Sequence, residues 1–216
     1  MKSRLLLCCS LLVLVLTAQG GIIYSPTGGT IPDGNPTGWA STATVDGELP
    51  TVWDVTVTLK ISGGYNGDLY AYLSYGGALV PLLNRVGKGT GSEPTYSFGY
   101  GDAGFNSVTL ADSGSVNIHN YGGTGVPTGT YAPDSGGVKF AHSFRGLAAN
   151  GTWTLLFADL SSGATSTVDS WSLNITAVPE PINVALAVFG GVFVAAGLGR
   201  SRRVRNFVGQ ALVRRA

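Results

Sequence analysis

Three aspartates in loop-like sequence are the residues of this chain best suited to chemistry. Asp33, Asp68 and Asp102 each lie among glycine, asparagine or proline, and Asp159 ends an apolar segment. Calcium takes several oxygen ligands, from carboxylates and backbone carbonyls, and such loops supply both. The sequence therefore predicts calcium binding by Asp33, Asp68 and Asp102, with Asp159 and Asp169 as the next candidates. The alternative is that Asp33 caps a turn and that Asp68 bonds backbone amides to close a hairpin.

Nucleophilic catalysis is the second chemistry to consider. A serine protease needs a serine beside a histidine base that a carboxylate orients. The chain has two histidines, His119 and His142, and neither a Gly-Thr-Ser run nor a His-Gly-Thr motif is present. The sequence therefore predicts that the protein is not an enzyme. It also predicts that His119 is a surface residue in a glycine-rich loop and that His142 packs at an edge near Phe140 and Phe144.

A pair of tyrosines is the third candidate site. Tyr70 and Tyr72 alternate with Leu69 and Leu73, so the tyrosines share one face of a predicted strand. Exposed tyrosine rings can stack on sugars, which makes Tyr70 and Tyr72 a possible glycan platform. Aromatic side chains on sheets also pair across strands simply for packing. The sequence leaves both interpretations open.

The distribution of charge excludes a nucleic-acid partner. Residues 21–177 contain five basic and eleven acidic side chains, a net charge of −6. Nucleic-acid binding requires lysine and arginine clustered on the folded domain. Both cysteines, Cys8 and Cys9, lie in the N-terminal apolar segment, so residues 21–177 offer neither a disulfide nor a cysteine-ligated metal site.

The segments that position these residues show a hydrophobic pattern that repeats every two residues. Apolar side chains alternate with polar ones in 51–61, 68–74, 152–158 and 170–176, which is typical of half-buried antiparallel strands. Glycine-rich turns separate these segments, and Trp153 and Trp171 fall on their apolar faces. We therefore expect an all-β, antiparallel, jelly-roll-like sandwich. The alternation of apolar and polar side chains is weakest in residues 111–137. We therefore expect this segment to be a long glycine-rich excursion over the surface.

The order of motifs resembles the P/Homo B domain of proprotein convertases and bacterial subtilisin-like proteases. The resemblance covers about residues 28–176 and rests on the segments 31–38, 55–59, 65–69, 149–155 and 169–173, with Asp159 between the last two. It implies a jelly-roll-like sandwich that normally follows a subtilisin catalytic domain and stabilises it. Residues 111–131 are expanded relative to that family.

The two ends of the chain resemble targeting signals. Residues 1–20 have a basic head, a short apolar segment and small residues before Gly21, as in a secretory signal peptide. Residues 178–205 resemble the PEP-CTERM sorting signal of Gram-negative bacteria: the motif Pro179-Glu180-Pro181, an uncharged helix at about 182–199 that is long enough to span a membrane, and a basic tail from residue 200. Residues 206–216 are an extra tail. That resemblance implies removal of the tail by the membrane protease exosortase, in hosts that make extracellular polysaccharide.

Together these features predict an exported, exosortase-sorted, non-catalytic β-sandwich at the cell surface or in the polysaccharide matrix. Signal peptidase and exosortase would process it, and the C-terminal helix would hold it in the inner membrane before sorting. Two alternatives stay open. One is an accessory P domain that docks onto a separate subtilisin-like protease, and the other is a polysaccharide-binding module.

Overall fold

The computed structural model describes residues 21–46, 51–89, 97–178 and 189–193. The described residues from Gly21 to Val178 belong to one compact unit, and residues 189–193 belong to another and are helical. The predicted signal peptide, the Pro179-Glu180-Pro181 motif, the basic tail and most of the predicted membrane helix lie outside the described residues. Within the described part, no helix has the length and apolar character needed to cross a membrane.

The larger of two sheets is built around its longest strands. Its six strands are β1 (Ile22–Tyr24), β2 (Thr27–Thr30), β4 (Thr51–Gly63), β7 (Phe105–Leu110), β8 (Gly129–Tyr131) and β10 (Ser166–Val178). β10 pairs antiparallel with β4 along its whole length, and β1 and β2 both pair with the other edge of β10. β7 and β8 continue the sheet beyond β4.

The smaller sheet has four strands in the order β3, β9, β5 and β6, and all its pairings are antiparallel. The strands are β3 (Trp39–Val45), β5 (Leu69–Tyr75), β6 (Ala78–Asn84) and β9 (Gly151–Asp159). β6 is an edge strand and accommodates Pro81, which cannot donate a hydrogen bond to a neighbouring strand.

The core confirms the predicted alternation. The alternating apolar side chains of all four predicted strands are buried, including Trp153 and Trp171, which are at most 2% exposed, whereas Trp53 near the start of the first strand is 48% exposed. Side chains from both sheets belong to this single hydrophobic core. The expectation of an all-β sandwich is therefore confirmed, whereas a purely antiparallel arrangement is not, because β7 and β8 pair in parallel.

Residues 111–137 are more than the predicted surface excursion. This segment contains β8, and its Ile118 is completely buried in the core. The Ile118 amide donates to the Ala132 carbonyl at 2.9 Å, and the Ala132 amide donates to the Val116 carbonyl at 2.8 Å. Because these bonds fold the segment onto itself, it contributes Ile118 to the core although its sequence has no clear period.

A single helical turn, α1 (Phe140–Phe144), was not predicted. Its rings Phe140 and Phe144 are fully buried and stack at 6.2 Å between centroids. The Asp112 carboxylate accepts the amides of Phe140 and Ala141, each at 2.9 Å. Asp112 thereby satisfies two of the amides that the first turn of a helix leaves without partners.

Candidate functional site

A cavity of about 480 Å³ lies where three connecting segments meet at one end of the sandwich. These segments are the β4–β5 connection, residues 98–101, and the β9–β10 connection. Eight residues line the cavity: Tyr65, Asp68, Phe98, Gly99, Tyr100, Gly101, Ser161 and Ser162. The predicted calcium ligand Asp68 is thus part of a larger site with aromatic walls.

Two glycines let the first two segments approach each other. A Cβ on Gly67 would lie 2.5 Å from the Phe98 carbonyl oxygen, and a Cβ on Gly99 would lie 2.6 Å from the Gly67 Cα. Gly99 also has a φ of +89°, which side chains rarely allow. The Gly67 amide donates to the Tyr100 carbonyl at 2.9 Å, so the close approach is secured by a backbone hydrogen bond.

Arg85 connects the β4–β5 and β9–β10 segments beside the cavity. Its Nε donates to the Gly67 carbonyl at 3.1 Å, and one terminal nitrogen donates to the Ser161 hydroxyl at 2.9 Å. The same nitrogen lies 3.7 Å from an oxygen of Asp68. Arg85 has a φ of +52°, a conformation that costs about 1–2 kcal/mol in a non-glycine residue, so its contacts hold the backbone in an unfavourable region.

The carboxyl groups of Asp68 and Asp159, near Arg85, are poorly solvated. Burial is the largest effect on Asp68 and on Asp159 and raises the pKa of both carboxyls above the usual 3.8. Asp159 is fully buried, and its Oδ1 accepts the Ser161 amide at 3.0 Å. Its Oδ2 has no hydrogen-bond partner among the described residues. Asp33 acts electrostatically on both carboxyls, and its own carboxylate accepts the Gly163 amide at 3.0 Å.

Asp102 belongs to a separate network. Its carboxylate accepts the Tyr121 hydroxyl and the Gly125 amide, each at 2.9 Å. The Asn66 side chain donates to the Tyr121 hydroxyl and exchanges two bonds with the Gly104 backbone. Burial raises the pKa of Tyr121, because the phenolate would be desolvated. The predicted trio of aspartates is therefore not brought together: Asp33 and Asp68 lie near each other, and Asp102 does not join them.

The side chains of Asp33, Asp68 and Asp102 are not arranged as a calcium site would require. Across the described ranges, no group of three or more histidine, cysteine, aspartate or glutamate side chains is arranged to hold a metal ion. Asp33 instead holds a turn of the β9–β10 connection, as its alternative interpretation requires, and Asp169 accepts the Ser62 hydroxyl at 2.7 Å on an exposed face. Calcium binding stays a prediction from the sequence.

The predictions for the two histidines are reversed in the structure. His119 is half-buried, with Nδ1 at 2.6 Å from Asp134 and Nε2 at 3.1 Å from the Lys88 carbonyl, whereas His142 is exposed. Asp134 begins an Asp-Ser-Gly sequence, as Asp112 does, so this pair superficially resembles part of a catalytic triad. A carbonyl oxygen only accepts, so Nε2 donates to it. That nitrogen therefore carries a proton where a triad histidine must accept one.

Tyr70 and Tyr72 do share the outer face of the smaller sheet, as predicted, and both are half-buried. Their cross-strand neighbours are uncharged: Ala158 and Asn84 beside Tyr70, and Leu156 and Pro81 beside Tyr72. The two rings are 6.2 Å apart and inclined at 62°, so they do not form one flat surface.

Tyr75 ends β5 and packs against the core. Its ring stacks on Trp153 at 4.0 Å, and its hydroxyl lies within hydrogen-bond distance of the Ala148 and Asn150 carbonyls. Burial raises the pKa of the Tyr75 hydroxyl.

The sequence did not identify Arg85, which contacts the cavity-lining Asp68 and Ser161, and it did not identify the lining residues Phe98 and Ser161 as part of a site. Arg85 is one of only five basic residues in 21–177, which is the signal that could have marked it. Phe98 and Ser161 lie in segments whose course the sequence pattern does not fix.

Comparison with known proteins gives distant structural similarities. No protein-family profile and no curated protein matches the chain. The serine protease of Aeromonas sobria (ASP) in complex with the chaperone ORF2 is similar over 74% of this chain, with 19% identity and a TM-score of 0.42. The same protease alone is similar over 73%, with 19% identity and a TM-score of 0.40. This chain spans about a quarter (26%) of the length of those proteins, and the similarities are too weak to assign a function.

Proposed function

We propose that this protein is an exported, non-catalytic binding module, sorted by exosortase to the cell surface or the extracellular polysaccharide matrix. The observation that carries the binding role is the cavity at the end of the sandwich, where aromatic rings, a buried carboxyl and serine hydroxyls converge. Pockets that bind ligands commonly have this composition and a volume of about 300–1,000 Å³. The targeting part of the proposal rests on the resemblance of both chain ends to sorting signals.

The non-catalytic part is supported by His119. Its Nε2 donates to the Lys88 carbonyl and its Nδ1 faces Asp134, so both ring nitrogens are engaged in holding segments of the fold together. The expected result is that purified residues 21–178, a compact unit with its own core, neither hydrolyse peptides nor react with a fluorophosphonate probe. Stoichiometric labelling of one serine, lost in His119→Gln but not in His142→Gln, would overturn the proposal.

Sorting is tested at the motif. Replacing Pro179, Glu180 and Pro181 with alanine should leave the protein in the membrane fraction, because exosortase would lose its recognition sequence. Cell fractionation with an antibody to residues 21–178 measures this. Release of the variant as efficient as that of the wild type would remove exosortase sorting from the account.

A polysaccharide is the second candidate ligand, on a different surface. The observation that favours it is the uncharged outer face of the smaller sheet around Tyr70 and Tyr72. Host polysaccharide should then capture the wild type, and Tyr70→Ala should reduce capture. Thr56→Ala, on the opposite sheet, is the matched control. Equal capture of wild type and Tyr70→Ala would exclude the platform.

The third candidate, an accessory P domain, rests on the order of the sequence motifs alone. It predicts that a separately encoded subtilisin-like protease co-purifies with the protein from the host. Purification without any protease would count against it and would leave the other two candidates standing.

A further inference from the structure

The cavity is lined for a particular chemistry. Tyr65 and Phe98 present large exposed ring surfaces, with 48% and 68% of each residue accessible. Asp68, only 6% exposed, reaches the same cavity. Aromatic faces attract cations through the ring quadrupole, most strongly where a cation is partly desolvated.

The charges beside the cavity do not balance. Within the described part of the chain, the charges of Asp68 and Asp33 act on Asp159, and the charge of Asp33 acts on Asp68, whereas the guanidinium of Arg85 lies against Asp68. Arg85 lies 3.7 Å from Asp68, and its hydrogen bonds go to the Gly67 carbonyl and the Ser161 hydroxyl. Three neighbouring carboxyl groups therefore have one nearby cation, which lies against Asp68, and this imbalance leaves a negative potential beside the cavity.

Asp159 is a second buried carboxyl beside the cavity, which it does not itself line, and the backbone amides of Ser161 and Gly34 both lower its pKa. It is fully buried next to the cavity-lining Ser161, and its Oδ2 accepts no hydrogen bond from the described residues. Buried polar atoms almost always have partners, so an unpartnered carboxylate oxygen calls for an explanation. A cation bound close by would reduce the cost of keeping this group ionised.

We propose that this cavity binds an organic cation, the guanidinium or alkylammonium group of an arginine or lysine side chain presented by a protein partner. The cation lies between the rings of Tyr65 and Phe98 and points towards Asp68. The inference deepens the proposed binding function and rests on it. A bare metal ion fits less well, because the described residues offer no cluster of metal ligands and the walls are aromatic.

The probe is the capped tripeptide acetyl-Gly-Arg-Gly-amide, titrated into ¹⁵N-labelled residues 21–178. Its citrulline analogue, which has the same shape without the charge, is the matched control ligand. We expect the arginine peptide to shift the backbone amides of Gly99, Gly101, Ser161 and Ser162 and to bind at least about tenfold more tightly than the citrulline peptide. Free 1,4-diaminobutane serves as a second arm. Tighter binding of the diamine than of the peptide would overturn the protein-borne source.

Three variants locate the site. Asp68→Asn and Phe98→Ala should each weaken binding of the arginine peptide by about five- to tenfold. Asp169→Asn removes one exposed carboxylate from the outer face of the larger sheet and should leave binding within about twofold, since it lies outside the cavity. Phe98 is largely exposed, so Phe98→Ala tests the site even if Asp68→Asn lowers stability.

Three results would overturn the inference: equal affinity for the arginine and citrulline peptides, affinity unchanged in both cavity variants, or shifts of these amides by CaCl₂ but not by the peptide. The last result would identify a metal site instead. None of them affects the fluorophosphonate and fractionation tests, so failure of this inference is distinguishable from failure of the proposed function.

Discussion

Asp159 makes the stability of the folded protein depend on pH. Burial is the largest effect on this carboxyl and raises its pKa above the usual 3.8, with the charges of Asp68 and Asp33 acting in the same direction. The folded protein therefore holds this proton more tightly than the unfolded chain does. The contribution of Asp159 to stability is greatest below pH 3.8, falls as the pH rises through the folded-state pKa, and is constant above it.

We therefore predict that Asp159→Asn gains stability relative to the wild type as the pH rises from 3.8 through the folded-state pKa. At low pH the wild-type carboxyl is protonated and resembles the amide, so the difference in Tm is smallest there. Thermal melts of residues 21–178 over a pH series measure this difference, with the exposed Asp169→Asn as the control for removal of a charge. A difference that stays constant or shrinks with rising pH would contradict the assignment.

At the scale of elements, α1 depends on a residue far away in sequence. Asp112 accepts the amides of Phe140 and Ala141, while Phe140 and Phe144 fix the turn in the core. A helix this short has little stability of its own, so tertiary contacts must hold it.

We predict that Asp112→Ala lowers the free energy of unfolding by about 1 kcal/mol, as loss of a helix N-cap does. For a domain of this size that corresponds to a fall in Tm of about 2–4 °C. Asp112→Asn keeps an acceptor and should lose less. Differential scanning calorimetry distinguishes them, and equal losses in the two variants would mean that charge rather than capping is what Asp112 supplies.

The strands differ in how far sequence predicts them. β4, β9 and β10 alternate over most of their length, because each has one face in the core, and the alternation breaks at Trp53 in β4 and at Ala158 in β9. β6 does not, because Leu82 and Leu83 are both buried and its pairing with β5 shifts register between Ala71 and Tyr72. β8 is three residues long and pairs in parallel with β7, so it leaves no period to read.

The cavity was only partly predictable for a similar reason. Asp68 could be identified because it sits in a glycine-rich turn. Its contact with Arg85 arises only when β5 and β6 pair and bring the ends of the hairpin together. The His119–Asp134 pair likewise depends on the folding of residues 111–137, which no pattern in the sequence fixes.

At the scale of the whole molecule, the β-sandwich is acidic. Residues 21–177 carry a net charge of −6, while the basic residues concentrate at the two ends of the sequence. An acidic domain suits a cationic partner, because complementary charge speeds association and suppresses wrong partners.

The most direct test is one intact-mass spectrum of the protein recovered from the host surface after exposure to a fluorophosphonate probe. We predict a chain that begins near Gly21, ends near Pro179–Pro181 and carries no probe. The mass would also reveal any attached glycan. A chain that retains Arg214 and Arg215, or that carries one equivalent of probe, would contradict the claim of a sorted, non-catalytic module.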